Sequence, residues 1–595
     1  MNLTRLLSSV LALSGAALLV LGSPVACSST PPAEGPETPP AGTGAPTSTA
    51  TSAATATATA SASAEVTPPP APKSHRYAVA AENPTAVKIA MEVLAKGGSA
   101  ADGAIAALLA VGVAQPVSSG IGGGGFAVVY EAKTKKITVL DFRETAPAAT
   151  KPADLSKRPQ PDDKRGLSTG VPGEVAGLFE IHARWGKLPF ADDVRGAADA
   201  AEKGFAITPH LARTMKWSEA WILKSARFNF FTANSALRPA GDTVVNSALA
   251  ATLRRIAAEG KAAFYEGAIA KDILETAKSG GSRMTAADLK GYKVLEREPL
   301  KTTWEGYDVY TMPPPSGGGL MILETLAMHS KADLESHGWG KGAYYHLLAE
   351  TFKGALADRV RTIGDPAFAK MDLAKLTAAA RMKARRARIK MDSTLPAEKY
   401  PLEENGTSHI IVADEEGNVV SVTSTVNNPF GARLVTAGGF ILNDELNDFT
   451  PENTDKLFGV ARGPNVPRGG ARPGSSMTPT LVVRDGKPVL ALGGSGGFRI
   501  ATGSTQVLLA VLAFGRTATQ AVADPRIDTP AMGGLFVDTS FPPDLIEDLK
   551  KRGHVVESGK PNFSAVQAMT FTEKDGVRLI DAAADPRKGG DGKVE

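Results

Sequence analysis

From residue 84 onward apolar side chains recur at helical spacing, with Ala86, Ile89, Ala90, Val93 and Leu94 on one stripe. Asn83 supplies an N-cap residue, Pro84 the first helical position, and Gly97-Gly98 ends the run. Ser99 can cap a second helix through Leu108, Leu109 and Val113, apolar almost all round as in a buried helix. The pattern then changes to strands over 126–130 and 137–142, short apolar runs rich in β-formers. In the last third, 410–413 and 419–426 flank the turn 414–418 and predict a β-hairpin. A second hairpin is predicted from 481–483 and 489–492 around Asp485-Gly486, followed by a helix over 504–514. Strands packed on buried helices imply a layered α/β body. The chain has no internal repeat.

The body's composition is that of an ordinary globular protein, 43% hydrophobic and 22% charged over 595 residues. A net charge of +4 with no long basic run gives no electrostatic case for nucleic-acid binding. Eight scattered histidines, without HExxH or CxxC, predict no metal site. The single cysteine, Cys27, excludes an intramolecular disulfide.

The N-terminus differs from the body. Arg5 precedes an apolar run from Leu6 to Leu21 that is shorter than the ~20 residues needed to span a bilayer, so residues 1–27 read as a signal peptide. Ala26-Cys27 resembles a bacterial lipoprotein processing site with Cys27 as the lipidation position; the alternative is a plain secreted protein, cut nearby, in which Cys27 is incidental. Pro24 departs from that pattern, where an aliphatic residue is usual. Residues 28–73 are almost entirely Ser, Thr, Pro, Ala and Gly. They predict an extended, disordered tether, because such a segment buries too little apolar area to offset its ordering entropy.

Two glycine motifs suggest other chemistries. Residues 120–125 match GxGxxG, but a helix precedes and a strand follows, the reverse of a dinucleotide site. Gly493-Gly494-Ser495-Gly496-Gly497 matches GxSxG, and Asp524 and His554 follow in the chain order of an α/β-hydrolase triad. The same run reads equally as a loop whose backbone N–H groups approach an anion.

The strongest feature is Asn405-Gly406-Thr407-Ser408-His409 at the head of the first hairpin. Thr423-Ser424-Thr425-Val426-Asn427 lies on the paired strand. Beyond it come Asn443-Asp444-Glu445-Leu446-Asn447-Asp448-Phe449 and Arg472-Pro473-Gly474-Ser475-Ser476-Met477. Near the front stand Leu94-Ala95-Lys96-Gly97-Gly98-Ser99-Ala100 with Asp102, then Gly122 to Phe126, and Asp141-Phe142-Arg143-Glu144. Ser168-Thr169-Gly170-Val171-Pro172-Gly173 and Pro313-Pro314-Pro315-Ser316-Gly317-Gly318 follow. In this order the set resembles the γ-glutamyltranspeptidase (γ-glutamyltransferase) family of N-terminal nucleophile hydrolases, from about His75 to about Arg587.

The resemblance implies a four-layer αββα sandwich. It also implies cleavage between Gly406 and Thr407, giving a large subunit over 74–406 and a small catalytic subunit over 407–595 that remain together as a heterodimer. A threonine hydroxyl needs a base, and a freed α-amine with a pKa near ~8 can serve as one. Gly406, without a side chain, allows a strained junction. By resemblance Thr407 is the nucleophile and Thr425 orients it, while Gly496 and Gly497 form the oxyanion hole. Arg143, Ser475 and Ser476 take the substrate α-carboxylate, and Asn427, Glu445 and Asp448 take its α-ammonium. The implied donors are glutathione-like γ-glutamyl compounds, and the acceptors are water, amino acids or dipeptides. No cofactor is called for, and the expected location is the periplasm or cell envelope, with the membrane reached only through a lipid anchor.

Three departures from the family pattern stand out. Ser408 replaces a frequent Thr, and Ser495 a frequent Pro. Phe458, in the lid-like loop between Phe449 and Arg472, falls where Tyr is common, which predicts more hydrolysis relative to transfer. The rivals are a cephalosporin or glutaryl acylase, whose substrate lacks the α-ammonium that Glu445 and Asp448 suit, and an inactive surface binding protein.

Overall fold

The computed structural model describes residues 74–156, 160–396, 406–452, 463–529, 534–558 and 564–595. The expected signal peptide over 1–27 with Cys27, the expected tether over 28–73, and Phe458 lie outside the described residues.

Two antiparallel sheets form the centre. In the first, the strand Ser408–Ala413 is flanked by Ala78–Ala81 and Val419–Thr425, and the sheet continues through Gly124–Glu131 and Lys136–Phe142. In the second, Lys487–Ser495 lies between Thr480–Arg484 and Ala565–Lys574, with Tyr307–Thr311 beyond. Side chains alternate between faces, as the two-residue period of a strand requires. Ile410 and Val412 pack on the helices Pro84–Ala95 and Ala100–Ala114, while Ile411 and Ala413 meet Leu481, Ala491 and Met569 between the sheets. On the far side Val482, Leu490 and Leu492 pack with Leu508 of the helix Arg499–Phe514. The layers are therefore helix, sheet, sheet, helix, the expected αββα sandwich.

The local signals account for these elements. Asn83 Oδ1 accepts the Thr85 N–H at 2.9 Å, and Ser99 with Asp102 forms a reciprocal capping box. Asp485 and Gly486 both have positive φ (52° and 73°), as a type I′ hairpin turn requires. One boundary is corrected. The helix predicted over 504–514 starts at Arg499, five residues earlier, directly after the glycine loop. Gly503 and the β-branched Thr502 and Thr505 weaken the helical signal there. Thr502 nevertheless fits, donating its hydroxyl to the Arg499 carbonyl and to Asp528.

Candidate active site

Ser408–Ala413 pairs with Val419–Thr425 in a register that sets Ser408 opposite Ser424. The residues just beyond both strand ends, Thr407 and Val426, therefore emerge side by side. Their N–H groups converge on the Ser118 carbonyl, at 3.2 and 3.1 Å. Thr407 Oγ1 donates to Thr425 Oγ1 at 3.2 Å, and the Asn427 N–H donates to that same oxygen at 2.8 Å. Thr425 is thus held by the backbone and in turn holds the Thr407 hydroxyl. Both threonines are buried.

The Gly406–Thr407 peptide bond is intact, and its carbonyl is already engaged. The Gly496 N–H donates to Gly406 O at 3.3 Å. Gly496 and Gly497 have φ of 117° and 67°, and a Cβ on Gly496 would come within 2.8 Å of Ser564 Cα, so the turn needs glycine.

Backbone strain at the junction falls one residue later than expected. Gly406 has no left-handed φ; Thr407 does, at 104°, an outlier for a β-branched residue. Such conformations cost about 1–3 kcal/mol and cluster where strain serves the chemistry. Gly406 is required for space instead: a Cβ there would lie 1.8 Å from the Asn427 carbonyl oxygen. We predict that Gly406→Ala displaces this carbonyl from Gly496 and slows chain cleavage at least ~10²-fold, the loss typical of one oxyanion donor. The fraction of uncut chain against time on a denaturing gel measures it.

A second cluster lies beside the first. Asp444 links them, since its N–H donates to the Val426 carbonyl and its own carbonyl accepts from Asn427 Nδ2 at 3.2 Å. The Arg143 guanidinium is fully buried and forks onto two acids, Glu445 and Asp448, the latter at 2.6 Å. It also donates to the Gly474 carbonyl at 2.7 Å. Arg472 fixes this strand end from behind, donating to Asp141 Oδ1 at 2.6 Å and to the Arg143 carbonyl at 2.9 Å. Ser475 Oγ accepts the Met477 N–H at 3.1 Å, while Ser476 Oγ and Glu445 Oε2 are buried without a hydrogen-bond partner. Burial pushes the Glu445 carboxyl up against the pull of Arg143, and raises Glu144, whose oxygens have no partner, to about 8.

Next to the junction opens a cavity of about 230 Å³, lined by Ser118, His210, Gly406, Gly496, Arg499 and Lys588 among others. Lys588 was not anticipated. Its Nζ lies 2.5 Å from Ser495 Oγ, 3.5 Å from the Thr407 carbonyl and 3.6 Å from Glu82. A lysine 181 positions from Thr407 gives no local signal of this contact.

The α/β-hydrolase alternative does not assemble. Ser495 faces Lys588, whereas Asp524 binds Arg516 and His554 binds His346. Of the other expected site residues, Gly406, Thr407, Thr425, Asn427 and Gly496 meet at the junction and Arg143, Glu445 and Asp448 meet in the second cluster, while Gly497, Ser475 and Ser476 stand next to these in sequence.

A family model described as Gamma-glutamyltranspeptidase matches residues 86–594. The chain is 34% identical over 542 residues to the glutathione hydrolase proenzyme of Bacillus subtilis (strain 168), covering 86% of this chain and 90% of that one. It is 36% identical over 533 residues to the glutathione hydrolase proenzyme of Pseudomonas aeruginosa, covering 87% and 94%. Among solved structures, a cephalosporin acylase from Bacillus halodurans matches with a TM-score of 0.78 at 24% identity, covering 90% and 99%, a likeness of fold alone. The Helicobacter pylori γ-glutamyltranspeptidase matches with a TM-score of 0.50 at 35% identity, covering 53% and 92%.

Proposed function

Since the chain belongs to the γ-glutamyltranspeptidase family, we propose how its own residues carry the chemistry of a γ-glutamyltransferase and glutathione hydrolase. The substrates are γ-glutamyl compounds such as glutathione. The observation that carries the mechanism is the Thr407 hydroxyl, held by Thr425, next to a Gly406 carbonyl that accepts from Gly496.

Maturation comes first. Thr407 Oγ1 attacks the Gly406 carbonyl carbon, the negative oxygen forms against the Gly496 N–H, and the C–N bond breaks. An ester joins Gly406 to Thr407 Oγ1, and the hydroxyl proton ends on the new α-amine. Water hydrolyses the ester, leaving a large chain that ends at Gly406 and a small chain over 407–595. Relief of the Thr407 strain favours this step. The chains stay together because Ser408–Ala413 is laddered to Ala78–Ala81, and Val419–Thr425 to Gly124–Glu131.

In turnover the freed amine, anchored at the Ser118 carbonyl, accepts the Thr407 hydroxyl proton. The donor's γ-carbonyl takes the place of Gly406 O, with Gly496 and Gly497 as oxyanion donors. The Arg143 cluster accepts the α-amino-acid end by exchange of partners. The substrate carboxylate takes the Arg143 fork with Ser475 and Ser476, and its ammonium takes Glu445, Asp448 and Asn427. A zwitterion thereby replaces an internal ion pair with no net charge buried. The amine leaving group departs with the proton, and water or an amine acceptor entering through the cavity resolves the γ-glutamyl ester.

The acidic half of this cluster separates the activity from that of an acylase. A γ-glutamyl anilide should be cleaved at least ~10²-fold faster, in kcat/KM, than the glutaryl anilide lacking the ammonium, because the latter leaves buried acids unpaired. A faster glutaryl substrate would favour the acylase.

Among the described residues no helix is long and apolar enough to cross a membrane. We place the enzyme outside the cytoplasm, exported by residues 1–27 and held at the cell envelope by a lipid on Cys27, with 28–73 as spacer. A Cys27→Ala chain recovered in the soluble fraction would support the anchor.

A further inference from the structure

His346 and Glu350 sit one turn apart on the helix Gly342–Thr362, facing His554 in the turn after the helix Pro543–Lys551. All three side chains are buried, at 0%, 2% and 6% exposure, and none takes part in the Thr407 chemistry. His346 Nδ1 lies 2.7 Å from His554 Nε2, and His554 Nε2 lies 3.9 Å from Glu350 Oε1. The three ligand atoms all fall within 4.8 Å of one another.

The hydrogen-bond roles are constrained. His346 Nε2 meets the Lys390 carbonyl at 2.7 Å, so that nitrogen is the donor and Nδ1 presents its lone pair. A metal-binding histidine is usually oriented in this way, its second nitrogen held by a carbonyl. Glu350 is oriented as well, its Oε2 accepting the Leu395 N–H at 2.8 Å.

From these residues we propose a divalent-cation site of the zinc class, with His346 Nδ1, His554 Nε2 and Glu350 Oε1 as ligands and water as the fourth. Arms of about 2.0–2.1 Å in a tetrahedron set ligand atoms roughly 3.4 Å apart. The observed 2.7 and 3.9 Å straddle that value, and the third separation is within 4.8 Å. On binding, His554 changes tautomer: the one ring proton it now shares with His346 Nδ1 is given up from Nε2 and taken back on Nδ1, with no net proton released. Glu350 Oε1 now accepts from Lys353 Nζ at 2.7 Å and from Thr394 Oγ1 at 2.6 Å; on binding the metal takes the place of Lys353, which keeps Thr394 Oγ1 and the Leu395 carbonyl, the latter at 2.9 Å, while the Thr394 hydroxyl stays on Oε1.

The place of the site gives it a role. The Lys390 carbonyl and Leu395 N–H that orient its ligands belong to the last described stretch before the cleavage junction. His346 and Glu350 precede Gly406, and His554 follows it. A metal here staples the two processed chains. That consequence, though not metal binding itself, rests on cleavage at Gly406–Thr407.

The test is a titration of chelator-treated protein with Co²⁺ followed by competition with Zn²⁺. The expected result is one equivalent per chain pair, with visible absorption of a nitrogen- and oxygen-ligated tetrahedral cobalt ion that zinc abolishes. The uncut Thr407→Ala chain should bind the same equivalent, which separates this proposal from the cleavage mechanism. His346→Gln and His554→Asn, each checked for an intact heterodimer, should bind at least tenfold more weakly while keeping γ-glutamyl hydrolysis. Wild-type protein that takes up no metal, or uptake unchanged in both variants, overturns the site.

Discussion

Thr407→Ala leaves a single uncut chain and removes γ-glutamyl transfer. The substitution deletes both the hydroxyl that opens the Gly406 bond and the nucleophile that carries the γ-glutamyl group. Losing a nucleophile that works as one unit with its base costs about 10⁴–10⁶ in kcat. The fold itself should persist, because Thr407 stands beyond the strand and the 408–425 hairpin keeps its ladder. Thr407→Ser keeps the oxygen and should still cleave, more slowly. It loses the methyl that restricts χ1 and with it part of the strain at φ 104°. Gel analysis gives cleavage, and hydrolysis of a γ-glutamyl anilide gives transfer. Normal turnover by an uncut Thr407→Ala chain would contradict the assignment.

The second large effect is at Arg143. Arg143→Lys keeps the charge yet loses the fork that spans Glu445 and Asp448 and reaches the Gly474 carbonyl. A charge-assisted hydrogen bond is worth about 1.5–3 kcal/mol. Loss of one such bond, with a misplaced γ-carbonyl, predicts a fall of about 10²-fold or more in kcat/KM, chiefly in KM. Arg143→Gln should do more: it leaves the buried Glu445 and Asp448 without their cation, a defect of about 3–5 kcal/mol that lowers the denaturation midpoint as well. Steady-state kinetics and urea unfolding of both variants separate binding from stability.

The hairpin 408–425 was legible because its apolar runs are bounded by a clear turn. The helices from Pro84 and Ala100 were legible because their caps are sequence-local. The family was legible from the ordered motifs, though the arrangement of their residues was not. Arg143 carries no sequence mark of its ion pairs with residues 302 and 305 positions away. The strain was assigned to Gly406 because glycine is the usual bearer of unusual backbone angles, whereas packing against Asn427 claims that glycine for space and shifts the strain to Thr407. Lys588 beside Ser495, and His346 beside His554, are contacts between distant segments that no spacing rule reaches.

The central claim is that Thr407, freed at its amine, carries the γ-glutamyl group. Its most direct test is to quench the enzyme in acid during turnover of a γ-glutamyl anilide and measure the intact masses of its chains. The account predicts two chains, with the smaller beginning at Thr407 and a fraction of it heavier by one γ-glutamyl residue mapped to that threonine. An adduct on Ser495, or turnover by a chain still joined at Gly406–Thr407, would contradict it.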